Sequence, residues 1–172
     1  MNGLDAGSNG SRVLRLVSLM PGLHLRELQR LLGLSFNTTR YHVDILSKAG
    51  AIECQKDKGY LRVYPVGTPE KAKTIYSCLR KPSSRLILTA LAQEPIVTGK
   101  QLCERTGLAK STVSELIQEF VASQIVKVEF SDVAGFGYDL TDRDYLLQIL
   151  LNQQQKRLLE TATDRFIDLW DM

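Results

Sequence analysis

The feature that most constrains the fold of this chain is an internal repeat. The two copies are offset by 74 residues, which is the distance in sequence from Pro21 to Pro95. Apolar positions, a proline and a glycine keep one register without a gap over about forty residues. The matched pairs, first copy before second, are Val13/Ile87, Leu14/Leu88, Pro21/Pro95, Leu28/Leu102, Gly33/Gly107, Leu34/Leu108, Thr38/Thr112, Val43/Ile117 and Ile52/Val126. A fixed period is the signature of duplication, so the sequence predicts two copies of one small domain.

Each copy has the pattern of three helices. The first helix ends at a proline, because proline cannot continue a helix. The second is "LRELQRLLG" in the first copy and "GKQLCERTG" in the second, where Thr98 is the predicted N-cap. Gly33 and Gly107 permit the positive φ of a tight turn before the third helix. The predicted first and third helices cover 11–20 and 36–49 in the first copy, and 83–93 and 110–123 in the second.

A β-hairpin follows the third helix in both copies. In the first copy the strands "AIECQ" and "YLRVYPV" flank the turn "KDKG". In the second copy the strands "IVKVEF" and "YDL" flank the turn "SDVAGFG". The order of helix, helix, glycine turn, helix and hairpin is the plan of a winged helix-turn-helix domain, whose hairpin is called the wing.

The predicted fold class is therefore mostly α with small β-hairpin wings (α+β). It comprises two tandem winged helix-turn-helix domains plus a long C-terminal helix. "TPEKAKTIYSCLR" between the copies predicts a helical linker with Thr68 as N-cap, and Thr141 with Asp144 resembles a capping box at the start of the last helix. The predicted boundaries are a flexible tail over 1–10, domains over 11–67 and 82–140, the linker over 68–81 and the C-terminal helix over 141–172.

The third helix of the first copy has two unlike faces when it is placed on a helical wheel. Thr39, His42, Val43 and Leu46 form the predicted core face, because the second copy has apolar residues at the same positions. His42 corresponds to Leu116, so a structural role is favoured over a ligand or catalytic role. The opposite face carries Asn37, Tyr41, Asp44 and Lys48, flanked by Thr38 and Arg40.

This polar face suits the major groove of DNA, where asparagine can pair with adenine and arginine with guanine. Lysine and arginine around the neighbouring hairpin turn would contact phosphates. The alternative is an ordinary solvated helix face. The predicted DNA-binding residues of the first copy are Asn37, Thr38, Arg40, Tyr41, Asp44, Lys48, Lys56, Lys58 and Arg62.

The second copy is a weaker candidate for DNA contact. Its third helix carries Glu115 and Glu119, and its hairpin turn lacks lysine and arginine, so little counterion release is expected there. We expect the first copy to dominate DNA affinity, while the second contacts DNA lightly, holds a partner or packs against another subunit. Its candidate DNA-binding residues are Lys110, Ser111, Thr112 and Ser114.

The stretch "LSFNTTRYHVDILSKAGAIE" resembles the recognition helix and following strand of ArsR/MarR-like winged-helix transcription regulators. The two copies together, over about residues 11–140, resemble predicted archaeal regulators with tandem winged-helix domains. The resemblance implies that Asn37, Thr38, Arg40 and Tyr41 contact DNA and that Lys56 and Lys58 lie on the wing. The Cys and His/Asp pairs of metal-sensing relatives are missing from this sequence, so metal sensing is not implied.

The last helix is the predicted dimerisation element, since regulators of this kind usually bind two half-sites as dimers. Its apolar positions form a helical stripe. The alternative is that this helix folds back onto the second copy of its own chain. The predicted dimerisation residues are Leu147, Leu151, Leu158, Phe166, Leu169 and Trp170.

Charge and cysteine content narrow the function classes. Residues 1–67 hold nine Lys/Arg and five Asp/Glu, residues 68–141 nine and eight, and residues 142–172 four and six. The basic end is therefore the first copy, which is compatible with a polyanionic partner. Three cysteines without a C-x-x-C spacing favour a reducing, cytoplasmic setting, and two histidines disfavour a four-ligand zinc site.

No cofactor and no enzymatic activity are predicted, because the sequence lacks a glycine-rich phosphate loop, a G-x-S-x-G elbow and a cluster of catalytic carboxylates. The first residues lack the pattern of a signal peptide and no long apolar run predicts a membrane span. The expected partners are double-stranded DNA and a second copy of the chain, with a transcription-machinery protein as a further candidate. The alternatives are a protein-binding adaptor associated with chromosomes or polymerase, and a replication initiator.

Overall fold

The computed structural model describes residues 8–57, 59–131 and 135–153. These residues fall into two compact units, of which the first contains the described residues up to Tyr76 together with Gln153, and the second contains Ser77–Asn152. The division lies inside the predicted linker over 68–81, while the predicted domain boundaries themselves remain predictions. The expectation of a mostly helical α+β chain with small antiparallel sheets is confirmed.

Each unit contains three helices followed by a β-hairpin, and the first unit has an additional short strand, β1. The elements of the first unit are α1 (Asn9–Leu19), β1 (Leu23–His24), α2 (Leu25–Leu32), α3 (Phe36–Lys48), β2 (Ile52–Asp57) and β3 (Tyr60–Pro65). Helix α4 (Glu70–Leu79) contains the division between the units. The elements that follow are α5 (Pro82–Gln93), α6 (Gly99–Thr106), α7 (Lys110–Ala122), β4 (Val126–Ser131), β5 (Gly135–Leu140) and α8, described over 143–153.

The first unit closes its core with a three-stranded antiparallel sheet in the order β1-β3-β2. Leu23 pairs with Val63, and Cys54 pairs with Val63 from the other side, so β3 is the central strand. The core contains apolar side chains from all three helices and from the sheet. Its fully buried members are Val13, Val17, Leu23, Leu28, Val43 and Val63. Burial of this apolar face is what gives the short helices their stability.

The second unit repeats this plan with a two-stranded hairpin of β4 and β5. Val97 exchanges backbone hydrogen bonds with Tyr138, each 2.9 Å long, at the position that Leu23 occupies in the first unit. The fully buried core residues include Ile87, Leu88, Leu91, Leu102 and Phe120. Helix α8 starts against this unit, since the Arg143 guanidinium donates to the carbonyl oxygens of Leu91 and Ala92 at 2.7 and 2.8 Å. Those carbonyls belong to the end of α5, where helical partners run out.

The predicted turns between the second and third helices are confirmed by the backbone. Gly33 and Gly107 end α2 and α6 with φ of 66° and 69°. Thr98 caps α6 as predicted, and its hydroxyl accepts from the backbone N–H of Gln101 at 3.3 Å. These matches follow from strong local signals, a left-handed glycine and a hydroxyl cap.

Several helix and strand ends differ from the sequence predictions. Helix α1 begins at Asn9 with Ser8 as its cap, so residues 8–10 are not part of a tail. Both hairpins extend further than predicted, and Lys56 and Asp57 belong to β2 rather than to the turn. The Thr68 hydroxyl donates to the Pro65 carbonyl at 2.6 Å, and α4 begins at Glu70. Asp142, not Thr141, accepts from the backbone N–H of Tyr145 at the start of α8.

Candidate nucleic-acid interface

The helix-turn-helix of the first unit is held by local caps at both helix starts. The Ser35 hydroxyl accepts from the backbone N–H of Thr38 at 3.1 Å and thereby starts α3. The Thr39 hydroxyl is buried and donates to the Ser35 carbonyl at 3.0 Å. A serine or threonine cap of this kind stabilises a helix by about 1 kcal/mol. The cap fixes where α3 begins and hence which of its side chains face outward.

The inner face of α3 agrees with the wheel, because Thr39, Val43 and Leu46 are buried. His42 is half-buried, as is Leu116 at the corresponding position of the second unit. The ring of Tyr41 meets the ring of His42 edge-on, with centroids 5.4 Å apart. His42 therefore lies at the edge of the core rather than in a cluster of catalytic groups.

The outer face of α3 is open to solvent. Tyr41 is 61% exposed, and the exposed residues with it include Asn37, Arg40, Asp44 and Lys48. Thr38 is half-buried because it contacts the Ser35 cap. The Arg40 Nε atom lies 3.8 Å from the Asp44 carboxylate, with both side chains more than half exposed. An exposed pair of this kind is weak, so the guanidinium stays available to another anion.

The hairpin of the first unit differs from the prediction at one of its three cationic positions. Arg62 is only 6% exposed, and its guanidinium donates to the Asp57 carboxylate at 2.7 Å and to the Gly22 carbonyl at 2.9 Å. These two hydrogen bonds hold the Arg62 side chain inside the unit, which argues against the predicted phosphate contact. Lys56 is exposed on β2, and Lys58 lies outside the described residues.

Helix α4 is tied to the same hairpin by a lysine between two carboxylates. The Lys73 ammonium lies 2.7 Å from Glu53 of β2 and 2.7 Å from Glu70. The hydrogen bond from Lys73, and then that from the Gly67 N–H, hold the pKa of Glu53 below 4.5. The hydrogen bond from Lys73, followed by that from Gln55, lowers the pKa of Glu70 in the same way.

His24 was not predicted to have a role at the start of α2. Its Nδ1 atom accepts from the backbone N–H of Glu27 at 3.2 Å, and the Glu27 carboxylate accepts from the His24 N–H at 3.1 Å. The His24 ring also stacks on Tyr60, the first residue of β3, with centroids 5.2 Å apart. Glu27 three residues after the cap is the signal that could have revealed this capping box. His24 thus links the helix-turn-helix to the base of the hairpin turn.

The corresponding surface of the second unit is polar but less basic. Lys110, Ser111 and Ser114 are exposed on α7, while Thr112 is half-buried. Glu115 is also exposed there. Ala109 precedes α7 without a side-chain cap, whereas Ser35 caps α3. All the predicted outward positions of α7 except Thr112 are thus accessible, and a single lysine supplies their positive charge.

The hairpin of the second unit exposes apolar side chains that the sequence prediction did not single out. Val128, Phe130 and Phe136 are 55%, 60% and 76% exposed. Phe130 pairs with Phe136 across the hairpin, and their ring centroids are 5.2 Å apart. Clusters of exposed aromatic side chains are typical of surfaces that contact other molecules.

The predicted dimerisation stripe is described only at its beginning. Leu147 is half-buried and Leu151 is 55% exposed, whereas Leu146 and Ile149 are buried. Helix α8 therefore packs within its own chain through Leu146 and Ile149, which are not among the predicted dimerisation residues. Four predicted residues lie outside the described residues: Leu158, Phe166, Leu169 and Trp170.

Residues 8–57, 59–131 and 135–153 contain neither a metal-binding cluster nor a helix that could span a membrane. No group of three His, Cys, Asp or Glu side chains within them could hold a metal ion. Cys54 is exposed, Cys78 is buried and Cys103 is half-buried, all as free thiols. Partial burial raises the pKa of the Cys54 thiol above 9.0. None of the helices in this part of the chain is long and apolar enough to cross a membrane.

Comparison with protein families gives a match over the second unit. Residues 81–135 match the model of the MarR family. The matched residues contain α5, α6 and α7 together with β4, which is the helix-turn-helix and the start of its hairpin. No curated protein matches the chain.

Several solved structures resemble the chain. A predicted DNA-binding transcriptional regulator from E. coli is 30% identical over 44% of this chain and 79% of that chain, with a TM-score of 0.31. The transcriptional regulator SlyA is 20% identical over 69% of this chain and 74% of its own, with a TM-score of 0.34. The endosomal complex ESCRT-II is 13% identical over 78% of this chain and 59% of that chain, with a TM-score of 0.30. TM-scores this low support no inference about function.

Proposed function

We propose that the protein is a DNA-binding transcription regulator built from two tandem winged-helix domains. In this proposal α3 enters the major groove and the hairpin of β2 and β3 contacts the phosphate backbone. The observation that carries it is the exposed polar face of α3, where Asn37, Arg40 and Tyr41 project from a helix whose other face is buried. The match of residues 81–135 to the MarR family supports the general class, because that family consists of winged-helix regulators.

The first unit is the proposed source of most DNA affinity, although the family match falls on the second. Arg40, Lys48 and Lys56 are exposed on α3 and β2, while α7 offers Lys110 and also exposes Glu115. Phosphate neutralisation by Lys and Arg dominates affinity for DNA, so the unit with more accessible cations contributes more. Asn37 and Arg40 are the proposed base-reading residues, because their side chains pair with adenine and guanine edges.

Selection of bound DNA from a random pool, repeated at two salt concentrations, tests this proposal. We expect the full-length chain to enrich a motif and to lose affinity steeply as salt rises. Arg40→Ala should weaken binding by about tenfold to a hundredfold and relax the motif at one position. Ser114→Ala is the matched control, because Ser114 occupies the position of Arg40 in the second copy. A pool without an enriched motif, or a motif lost only in the Ser114 variant, would contradict the proposal.

A second candidate function is a protein-binding adaptor, and one observation favours it. The second hairpin exposes Val128, Phe130 and Phe136, whereas the residues of a phosphate-binding wing are expected to be basic. In an adaptor the same random pool would give no enrichment and little salt dependence. The proposed regulator can also use this apolar surface, for contact with a protein rather than with DNA.

A further inference from the structure

The second unit contains a cavity of about 570 Å³ between α6, α7 and β5. Its lining includes Cys103, Val113, Ile117, Tyr138, Lys100 and Lys110. Cavities of about 300–1,000 Å³ accept drug-sized groups, so this one has room for a large aromatic side chain. The first copy has Gln29 at the position that corresponds to Cys103.

The lining has an apolar floor and a cationic edge. Val113 and Ile117 are buried, whereas Lys100 and Lys110 are exposed. The Lys100 ammonium lies 3.9 Å from the Glu104 carboxylate, with side chains 87% and 61% exposed, so this pair is weak. An occupant that fits both features has a large apolar group flanked by carboxylates.

The apolar floor continues along one face of the hairpin. Tyr138 of the cavity lies opposite Val128, and the next pair on the same face is Phe130 with Phe136. Alternate residues of a strand point to one face, so these side chains form one surface leading away from the cavity. An occupant with several apolar side chains in sequence can therefore cover more than the cavity itself.

The chain itself contains a segment with this chemistry. Residues 164–172, "DRFIDLWDM", hold three aspartates and one arginine together with Phe166, Ile167, Leu169 and Trp170. The segment lies outside the described residues, eleven positions after Gln153. Its net charge of −2 complements the lysines at the cavity edge, and its apolar side chains complement the floor.

We propose that residues 164–172 of a second copy of the chain occupy this cavity, with Trp170 in it and aspartates near Lys100 and Lys110. Helix α8 favours the second copy, because Leu146 and Ile149 are buried while Leu151 stays 55% exposed in the last described turn. The exposed Leu151 side chain at this point is available for contact with another chain. Reciprocal exchange makes two identical contacts in a twofold dimer, and this inference does not depend on DNA binding.

A charge-swap experiment on the full-length chain tests the pairing. One variant reverses the cavity edge with Lys100→Glu and Lys110→Glu, and the other reverses the segment with Asp168→Lys and Asp171→Lys. Each variant alone should dimerise about tenfold more weakly than the unaltered chain. An equimolar mixture should recover dimers, because each cavity then meets a segment of opposite charge. Light scattering measures the mass, and circular dichroism checks that both variants are folded.

Trp170 gives a second measurement, because it is the single tryptophan of the chain. Its emission should move to shorter wavelength as the unaltered chain dimerises, and the same shift should appear when the two variants are mixed. Arg26→Glu with Arg30→Glu is the control, since both residues are exposed cations of the first unit and Arg26 is the counterpart of Lys100. This control should leave the mass and the emission unchanged.

Three results would overturn the proposal. The cavity variant could remain dimeric with unchanged emission, which would place the segment elsewhere. Mixing could fail to restore dimers from two folded variants, which would exclude the charge pairing. The unaltered chain could stay monomeric with its Trp170 emission at short wavelength at every concentration, which would mean that the segment is buried within one chain.

Discussion

Single residues in left-handed backbone distinguish the two copies. Gly50 follows α3 with φ of 69°, and Gln124 stands at the corresponding place after α7 with φ of 58°. Gly22 and Ile96 form a second such pair, with φ of 81° and 50°. Residues with a Cβ atom pay about 1–2 kcal/mol in this region, so the second copy keeps the turn geometry at an energetic cost. The backbone path is thus conserved between the copies more strictly than the residue type.

Gln124→Gly should therefore raise the free energy of unfolding of the second unit by about 0.5–1 kcal/mol. Relief of left-handed strain exceeds the extra unfolded-state entropy that glycine brings. Urea unfolding, followed by circular dichroism, measures the change. Gly50→Ala is the reverse control and should destabilise by about 1 kcal/mol, since a Cβ atom there meets no other atom within 4 Å and the cost is that of the backbone alone. An unchanged midpoint in both variants would contradict this account.

Helices α2 and α6 begin at equivalent positions of the two copies, although their N-cap residues differ. His24 and Thr98 both accept from the backbone N–H three residues on. His24→Ala should lose this acceptor and lower the free energy of unfolding by about 1 kcal/mol. His24→Thr should recover most of the loss, because threonine already performs this role at position 98. Thermal unfolding of the unaltered chain and of the two variants measures these changes. Equal losses of stability in both variants would show that stacking of His24 on Tyr60, rather than the cap, is the stabilising contact.

The contact of α4 with β2 should make stability depend on pH. The pKa values of Glu53 and Glu70 are lowered from 4.5, first by the hydrogen bonds from Lys73. The pKa of Lys73 is raised above 10.5, first by Glu53 and then by Glu70. Carboxylates with lowered pKa stabilise the fold above 4.5 and lose that contribution as pH falls through their folded values. The lysine loses its contribution as pH rises above 10.5.

Lys73→Met should thus flatten the acid limb of the stability curve, because the two carboxylates lose the partner that lowers their pKa values. Urea unfolding at intervals between pH 7 and the acid limit measures the limb. Lys48→Met is the control, because Lys48 is an exposed lysine of the same unit and should leave the limb as it is. If stability falls as steeply at acid pH in the Lys73 variant as in the unaltered chain, other carboxylates cause that loss.

Over the whole molecule, the features that depend on local sequence were predicted better than those that depend on contacts between distant residues. The proline and glycine positions and the apolar period predict helices over 36–49 and 110–123, and α3 and α7 cover Phe36–Lys48 and Lys110–Ala122. The inner face of α3 follows from the same period. The burial of Arg62 was not predicted, because it depends on Gly22, forty residues earlier, and on the place of Arg62 in the central strand β3. The aromatic hairpin surface was missed because exposure of an apolar strand face is set by what packs on it.

The salt dependence of DNA binding should show how many phosphate contacts each of the two units contributes. Each phosphate neutralised contributes about −0.9 to the slope of log affinity against log salt. Lys48→Ala with Lys56→Ala should reduce the magnitude of that slope by about 2, since both cations are exposed on the proposed interface. Lys110→Ala should reduce it by less than about 1 because the acidic groups near α7 keep phosphates further away. Affinities measured for one enriched DNA at several salt concentrations give the three slopes, and a larger reduction from Lys110→Ala would transfer the main interface to the second unit.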